Sequence, residues 1–358
     1  MNRIETNNII IIGELHQDLY YESEFYEQIV EEIVNNLVNL IRYNPDDLNK
    51  TILEKFVKKG IANTPKKVMG LCYFKRGGNG NNSAEFLAKL GINTKLVSVI
   101  GRGSDWMIKE LRDIGVNTDS IFQINEITPV STIIKSKFTT KIHLAPNLKD
   151  KMNFDGIFLK DEIFINAKII FSTPLAEKFI DLFERGSNYS LITAFNVERQ
   201  KIHNLKHLSN LIKNRKDFLF LNVKDAYLIL GQKAAIEEID QRFKKFAFIR
   251  IYTAGKDGSH VKTDNFTITF PGIEVDAIVD RTGAGDCYAA GFLAKIYELV
   301  ANKEELTDLL TVKNSNKLKA ILDSCIKFAT FSAIYKITKQ TAPSKEELEL
   351  FMKNFQFK

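Results

Sequence analysis

Two hydrophobic periods alternate along the chain. Asn8-Ile9-Ile10-Ile11-Ile12-Gly13 is a short apolar run closed by glycine, the pattern of a parallel strand buried on both faces. From Phe25 the period becomes helical: Phe25, Ile29, Val30, Ile33, Val34, Leu37, Val38 and Ile41 recur with Glu and Asn between them. Asn44-Pro45-Asp46-Asp47 breaks this helix, and a second is expected over about 48–61, with Ile52, Leu53, Phe56 and Val57 on its apolar face. Together they read as a helical hairpin. Strand and helix then alternate at 67–74, 83–90, 95–100 and 105–114, and 130–135 with 140–144 reads as a two-stranded ribbon. Further on the alternation becomes regular, with strands at 167–171, 190–194, 218–221 and 247–252 and helices at 176–185, 203–212 and 225–230. Such spacing predicts βαβ units on a parallel sheet. Residues 261–270 read as an edge hairpin, and the last third is helical at 283–299, 317–335 and 345–354.

Composition narrows this picture. The 358 residues are 44% hydrophobic and 26% charged, enough for a large α/β core with a smaller appendage. Fifty Lys and Arg against 44 Asp and Glu leave a net charge of +6, spread along the whole chain. A nucleic-acid binder gathers such residues into a patch or tail, so nucleic acid is not an expected partner. No apolar run reaches ~18 residues, and no membrane partner is expected. The start, Met1-Asn2-Arg3-Ile4-Glu5-Thr6, lacks a secretory-signal pattern. Cys72, Cys287 and Cys325 are odd in number and far apart, which offers neither a disulfide framework nor a CxxC metal site. A reducing cytoplasm is the expected setting.

The stretch richest in chemistry is Asp280-Arg281-Thr282-Gly283-Ala284-Gly285-Asp286, followed by the apolar Cys287-Tyr288-Ala289-Ala290-Gly291-Phe292-Leu293. Two glycines at a helix entrance let the backbone turn sharply and let a ligand approach its N–H groups. Those groups lack intrahelical partners and sit at the positive end of the helix dipole, which makes an anion hole suited to a phosphoryl group. Asp286 falls in the first turn, where a carboxylate can accept a proton from a hydroxyl beside the phosphate. A dinucleotide fingerprint is excluded because Tyr288 stands where a third glycine is needed, and no window supplies a P-loop. An ordinary glycine turn is the plain alternative for a bare GxGD, and the longer string argues against it.

With its trailing Ala-Gly-Phe-Leu, this string resembles the C-terminal signature of the ribokinase/PfkB family of sugar and nucleoside kinases. Gly77-Gly78-Asn79-Gly80-Asn81-Asn82-Ser83-Ala84 with Leu87-Ala88-Lys89-Leu90-Gly91 resembles the family's N-terminal signature. Asn222-Val223-Lys224-Asp225 resembles its NxxE motif, Thr253-Ala254-Gly255-Lys256-Asp257-Gly258 its TxGxxG turn, and Gly13-Glu14 with Asp18 its first-strand motif. The matches run in family order, and only about 21–65 lacks a counterpart.

The resemblance implies a ribokinase-like three-layer α/β/α sandwich with a small β-lid. It implies a single kinase domain over 1–358, with lid strands near 14–21, 66–76 and 129–145 and a helical insertion at about 22–64. It also implies ATP-dependent transfer of the γ-phosphoryl to a hydroxyl of a small sugar or sugar acid. An adenosine-type nucleoside kinase and a non-catalytic sugar- or nucleotide-binding sensor are the alternatives. By matching position, Asp286 is the catalytic base, and Gly283, Ala284 and Gly285 supply the anion hole. Asp18, Gly78 and Asn82 contact acceptor hydroxyls, and Asn222, Thr253, Gly255 and Gly258 line the nucleotide. Asp225 acts on Mg²⁺ through water, and Asp280 with Thr282 matches positions that hold a monovalent cation, K⁺ being the one expected.

The chain departs from the family at named positions. Asp225 stands where Glu is usual, Arg281 where Thr is frequent, and Arg102-Gly103-Ser104-Asp105-Trp106 replaces a more acidic stretch. Asn79 is neutral where a cation would suit a phosphorylated sugar, which points to an uncharged or nucleoside acceptor. The insertion's apolar faces need cover, on its own subunit, in a homodimer or over the active site, with subunit or dimer packing the expected outcome. Elsewhere, His203 and His207 share a helix face without a third ligand nearby and read as solvated. Cys287 reads as packing, and Trp106 as a substrate contact or a core residue.

Overall fold

The computed structural model describes residues 9–43, 50–62, 69–135, 142–144, 147–157, 159–275, 278–312 and 315–355. These fall into two compact units, one of Met1–Leu15, Gly77–Thr128 and Asp150–Lys358, the other of His16–Arg76 and Pro129–Lys149.

The described residues of the first unit form a nine-stranded sheet. In spatial order its strands are β13 (Thr267–Phe270), β12 (Ser259–Lys262), β11 (Ala247–Thr253), β10 (Lys216–Asn222), β9 (Ile192–Val197), β8 (Ile169–Thr173), β1 (Ile9–Gly13), β4 (Thr94–Arg102) and β5 (Val116–Ile127). From β11 to β5 every neighbour is parallel, while β12 and β13 close the other edge as an antiparallel hairpin.

The four isoleucines of β1 show how the layers form. Side chains alternate across a strand, so Ile9 and Ile11 enter one core and Ile10 and Ile12 the other, all fully buried. The first core is covered by α3 (Asn79–Lys89), α4 (Asp105–Asp113), α9 (Ala284–Leu299) and α11 (Asn316–Lys339). The second is covered by α5 (Glu177–Gly186), α6 (Leu205–Leu211), α7 (Val223–Leu230) and α8 (Ile236–Phe243). The helix α9 is apolar nearly all round because its whole middle is buried. Gly291 lets it lie against α11, since a Cβ there would stand 2.3 Å from Ser332 Oγ. Trp106 packs against the first core.

Strand β5 and helix α8 are additions to the expected order. β5 lies at the sheet edge and reads Val-Asn-Thr-Asp-Ser-Ile-Phe-Gln-Ile-Asn-Glu-Ile, its apolar residues broken up by polar ones without a clear period. The helix α10 (Lys303–Thr311) belongs to the helical last third.

The second unit holds a four-stranded sheet in the order β3 (Gly70–Gly77), β2 (His16–Ser23), β6 (Val130–Lys135), β7 (Ile142–Leu144). Strand β2 runs parallel to β6, and β6 is antiparallel to β7. Between β2 and β3 the chain forms α1 (Phe25–Tyr43) and α2 (Lys50–Ala62). They cross closely at Gly60, where a Cβ would fall 3.0 Å from the Ile33 Cα. Tyr20 and Tyr73 stack at 5.3 Å, and the Lys75 ammonium lies 5.2 Å from both ring centroids. No described helix is long and apolar enough to cross a membrane.

A tight backbone junction of the first unit joins β1 to α3. A Cβ on Gly13 would lie 2.2 Å from the Thr173 carbonyl and 2.8 Å from the Gly80 Cα, all of it backbone. Gly13→Ala should therefore cost at least about 1–3 kcal/mol of stability, the range for overpacked sites. Urea unfolding of wild type and variant measures it.

Candidate active site

The strands β1, β8, β9, β10 and β11 are parallel, so their C-terminal ends lie along one edge of the sheet, the edge where open α/β sheets bind ligands. Glu14 follows β1, Glu198 follows β9, Asp225 follows β10 and Gly255 follows β11.

The entrance of α9 is built by the chain segment before it. Val279 N–H donates to the Ile337 carbonyl at 2.9 Å. Asp280 Oδ1 accepts from the Thr282 hydroxyl at 2.6 Å and from its N–H at 2.9 Å. Gly283 is the N-cap, with φ +74, a conformation that favours glycine. Gly285 has no positive φ, and a Cβ there would meet nothing within 4 Å. The backbone thus requires glycine at Gly283, and at Gly285 the absent side chain leaves open space above the helix end. The Ala284 N–H reaches the Arg281 carbonyl at 3.3 Å, so the groups of the first turn without a partner inside the helix are those of Gly285 and Asp286.

Asp286 is buried, at 6% exposure. Its Oδ2 accepts from Asn82 Nδ2 at 2.8 Å and its Oδ1 from Asn79 Nδ2 at 2.9 Å. The two asparagines sit three apart on α3 and so face the same way. The glycines fix where that helix starts. Gly78 has φ +101, and a Cβ on it would fall 2.3 Å from the Glu14 carbonyl. Burial raises Asp286 to about 6, against the pull of the Asn82 and Asn79 amides and the Lys336 charge.

Asn79 Nδ2 also donates to Glu198 Oε1 at 2.5 Å, and Asn196 Nδ2 lies 3.4 Å from the same oxygen. Glu14 holds two cations, with Lys178 Nζ at 2.8 Å and Lys201 Nζ at 3.0 Å. Burial pulls Lys178 below the ordinary lysine value despite Glu14, whereas at Lys201 the charges of Glu14 and Asp150 outweigh burial and raise it. Glu198, Lys178, Lys201 and Lys336 carry no motif. Only the position of Glu198 just past a strand end signals it in the sequence.

Asn222 caps α7, accepting from Lys224 N–H at 2.9 Å, and pairs in register with Thr253 on β11. Gly255 and Gly258 frame the turn after β11 with φ +62 and +91, and a Cβ on Gly258 would meet the Phe270 carbonyl at 2.2 Å. Asp225 is half-buried in the first turn of α7. Burial raises its pKa, opposed by the backbone N–H and the charge of Arg199.

Asp18 lies on β2 of the second unit. It is buried there, and its Oδ1 is 3.3 Å from His16 Nε2. His203 and His207 do not share a ligand: His203 Nδ1 faces Arg199, and His207 Nε2 is 3.0 Å from Glu177. They border a cavity of about 820 Å³ that also touches Lys178 and Lys201 but not Asp286. Among the described residues no cluster of three or more His, Cys, Asp or Glu is disposed to hold a metal. Cys287 is buried, and burial pushes its thiol well above the ordinary cysteine value.

A family model described as pfkB family carbohydrate kinase matches residues 59–345. That span takes in every motif noted above except Gly13-Glu14 and Asp18. The ATP-dependent 6-phosphofructokinase of Thermoanaerobacterium thermosaccharolyticum is 24% identical over 247 residues, 64% of this chain and 75% of that protein. The nucleoside kinase of Methanocaldococcus jannaschii is 25% identical over 227 residues, 61% of this chain and 71% of that protein. Among solved structures, Arabidopsis thaliana ribokinase complexed with ribose and ATP matches with a TM-score of 0.65 at 18% identity, over 98% of this chain and 99% of that one. The fold is the ribokinase-like α/β/α sandwich.

The open space at Gly285 separates folding from chemistry. Gly285→Ala places a methyl on a helix position that tolerates it, so stability should hold or rise by up to about 1 kcal/mol. The same methyl would stand in the anion hole expected from the sequence, and turnover should drop. Thermal melts and ATP turnover on one preparation measure both.

Proposed function

The chain belongs to the pfkB family of carbohydrate kinases, ATP-using phosphotransferases with an alcohol acceptor, and on that premise we propose that Asp286 is the base that deprotonates a hydroxyl of a small sugar or sugar acid. The observation that carries this reading is Asp286 itself. It is a buried carboxylate in the first turn of α9, gripped by two amides and raised to about 6, beside backbone N–H groups without a partner inside the helix and a glycine whose Cβ would meet nothing within 4 Å.

The chemistry asks little more of the protein. Phosphoryl transfer depends mainly on positioning and on stabilising charge. The acceptor hydroxyl loses its proton to Asp286 as its oxygen bonds to phosphorus and the bond to ADP breaks. Gly283, Ala284 and Gly285 are proposed for the anion hole; because the Ala284 N–H is taken up by the Arg281 carbonyl, the N–H groups of Gly285 and of Asp286 beside it, with the dipole of a 16-residue helix behind them, stabilise the transferring anion. Asn82 and Asn79 hold the base still. Asp18, Gly78 and Asn82 are proposed for acceptor binding on the strength of the motif match, Gly78 through its backbone and Asn82 beside the carboxylate it holds. Asn222, Thr253, Gly255 and Gly258 are proposed for the nucleotide, with both units serving one kinase domain.

Mg²⁺ fits the donor set in one way. Mg²⁺ keeps several waters and binds through few carboxylates plus substrate phosphates, and Asp225 offers a single half-buried carboxylate for that purpose. When bound, the ion neutralises phosphate charge. Asp280 with Thr282, joined by their own hydrogen bonds beside the α9 entrance, is proposed as the K⁺ position. Pairing of two chains is supported by exposed apolar side chains on the second unit, Leu71 and Phe74 on the edge strand β3 and Val30, Val34 and Val38 on α1. The cysteines, one exposed and two buried, are all free, which suits a cytoplasmic setting.

One set of assays tests the reading. ADP release is followed with Mg-ATP over a panel of sugars, sugar acids and nucleosides, in K⁺ and in a large organic cation, with mass by light scattering. Turnover on a sugar or sugar acid, faster in K⁺, is expected from a dimer, while turnover on nucleosides alone would move the acceptor assignment to the nucleoside kinases. Asp286→Asn should lower turnover by about 10²–10⁴ while ATP still binds, and undiminished turnover in a folded variant would remove Asp286 from the base role. Because the base works only when ionised, wild-type kcat/KM should fall as pH drops through about 6.

A further inference from the structure

Asn79 is a single amide between two acids. Its Nδ2 carries two hydrogens, one directed to Asp286 Oδ1 at 2.9 Å and the other to Glu198 Oε1 at 2.5 Å. We infer that Glu198 is a positioning residue for Asp286: it keeps its proton while the site works, aims the Asn79 amide at the base, and disables the centre when it ionises. This inference rests on Asp286 being the base.

The surrounding charges assign the proton to Glu198. The acids that act on Glu198 come from three directions, Asp286 on α9, Glu14 after β1 and Asp225 on α7. The nearby cations are committed elsewhere. Lys178 on α5 and Lys201 both bind Glu14, the Arg199 guanidinium faces His203, and Lys336 on α11 acts on Asp286. Among the described residues no cation pairs with Glu198. Its Oε1 accepts from Asn79 and, at 3.4 Å, from Asn196.

Two carboxylates sharing one amide group do not both ionise cheaply, and the one with better support takes the charge. Asp286 has two amide donors, a helix N-terminus and Lys336. Burial and then the charges of Asp286, Glu14 and Asp225 push Glu198 to about 8, two units above Asp286. Between the two values the centre carries one negative charge. Above the higher value a second one appears across the Asn79 amide from the base, and it repels the anionic phosphoryl donor.

The test is the pH profile of kcat/KM, measured on the intact protein with Mg-ATP and the best acceptor found. The wild-type rate should fall above pH about 8. Glu198→Gln, which keeps the side chain's length and its acceptor oxygen without the ionisation, should lose that alkaline limb while staying within about tenfold of wild type at pH 7. Glu198→Ala, which frees the Asn79 amide, should lower kcat more than it changes KM, and the Gln variant should rescue most of that loss. An unaltered alkaline limb in Glu198→Gln, or a pH 7 loss as large as in Glu198→Ala, overturns the proposal. Infrared spectroscopy gives a readout independent of turnover. The C=O band of a protonated carboxyl should be present at pH 7, disappear with a midpoint near 8, and be missing from Glu198→Gln. Absence of that band from the wild type also overturns the proposal. An active Asp286→Asn variant would instead remove the base assignment, whatever the Glu198 variants do.

Discussion

The site depends on a place where no side chain fits. At the end of β1, Gly13 touches the Gly80 backbone and the Thr173 carbonyl, so β1, the end of β8 and the first turn of α3 meet without an intervening atom. The meeting sets the depth and direction of α3. That helix brings Asn79 and Asn82 to Asp286, which arrives on a helix more than 200 residues later. A substitution that pushed α3 outward by even one methyl would move both amides off Asp286, although neither asparagine had been changed.

Charge is arranged as tightly as volume. Glu14 is neutralised by two lysines, Asp286 by amides and a helix end, and Glu198 is left with amides alone. Each carboxylate on this edge of the sheet therefore has a different environment, and the environments set their protonation states apart. The fold supplies the partition, because Glu14 and Glu198 follow different strands of one parallel sheet while Asp286 opens a helix, and each meets different neighbours.

The architecture was readable wherever burial is complete. The isoleucine run of β1 and the apolar strands β8 to β11 have one period and one meaning. Strand β5 escaped because an edge strand needs fewer apolar residues, and α8 because Ile-Glu-Glu-Ile-Asp-Gln-Arg-Phe is short and mostly polar. Asp286 and the glycines before it were legible because a helix entrance for an anion demands those residue types at that spacing. Gly291 was legible only as part of a string, and its role proved to be packing against Ser332. Glu198 gave no such signal. Its significance lies in the distance to Asn79, and distance between residues 119 apart is written in the topology of the sheet and nowhere in local sequence.

That same topology imposes an order in time. Strand β1 leaves the ribosome first, yet its partners β4 and β8 lie about 85 and 160 residues behind it. At bacterial-type synthesis rates, β8 follows on the order of ten seconds later. Until β4 emerges, four consecutive isoleucines have no ladder partner, and until β8 emerges one edge of the strand stays open to wrong pairings. The arrival of β8 thus does two things at once: it protects the most vulnerable segment of the nascent chain, and it delivers the Thr173 carbonyl that closes over Gly13.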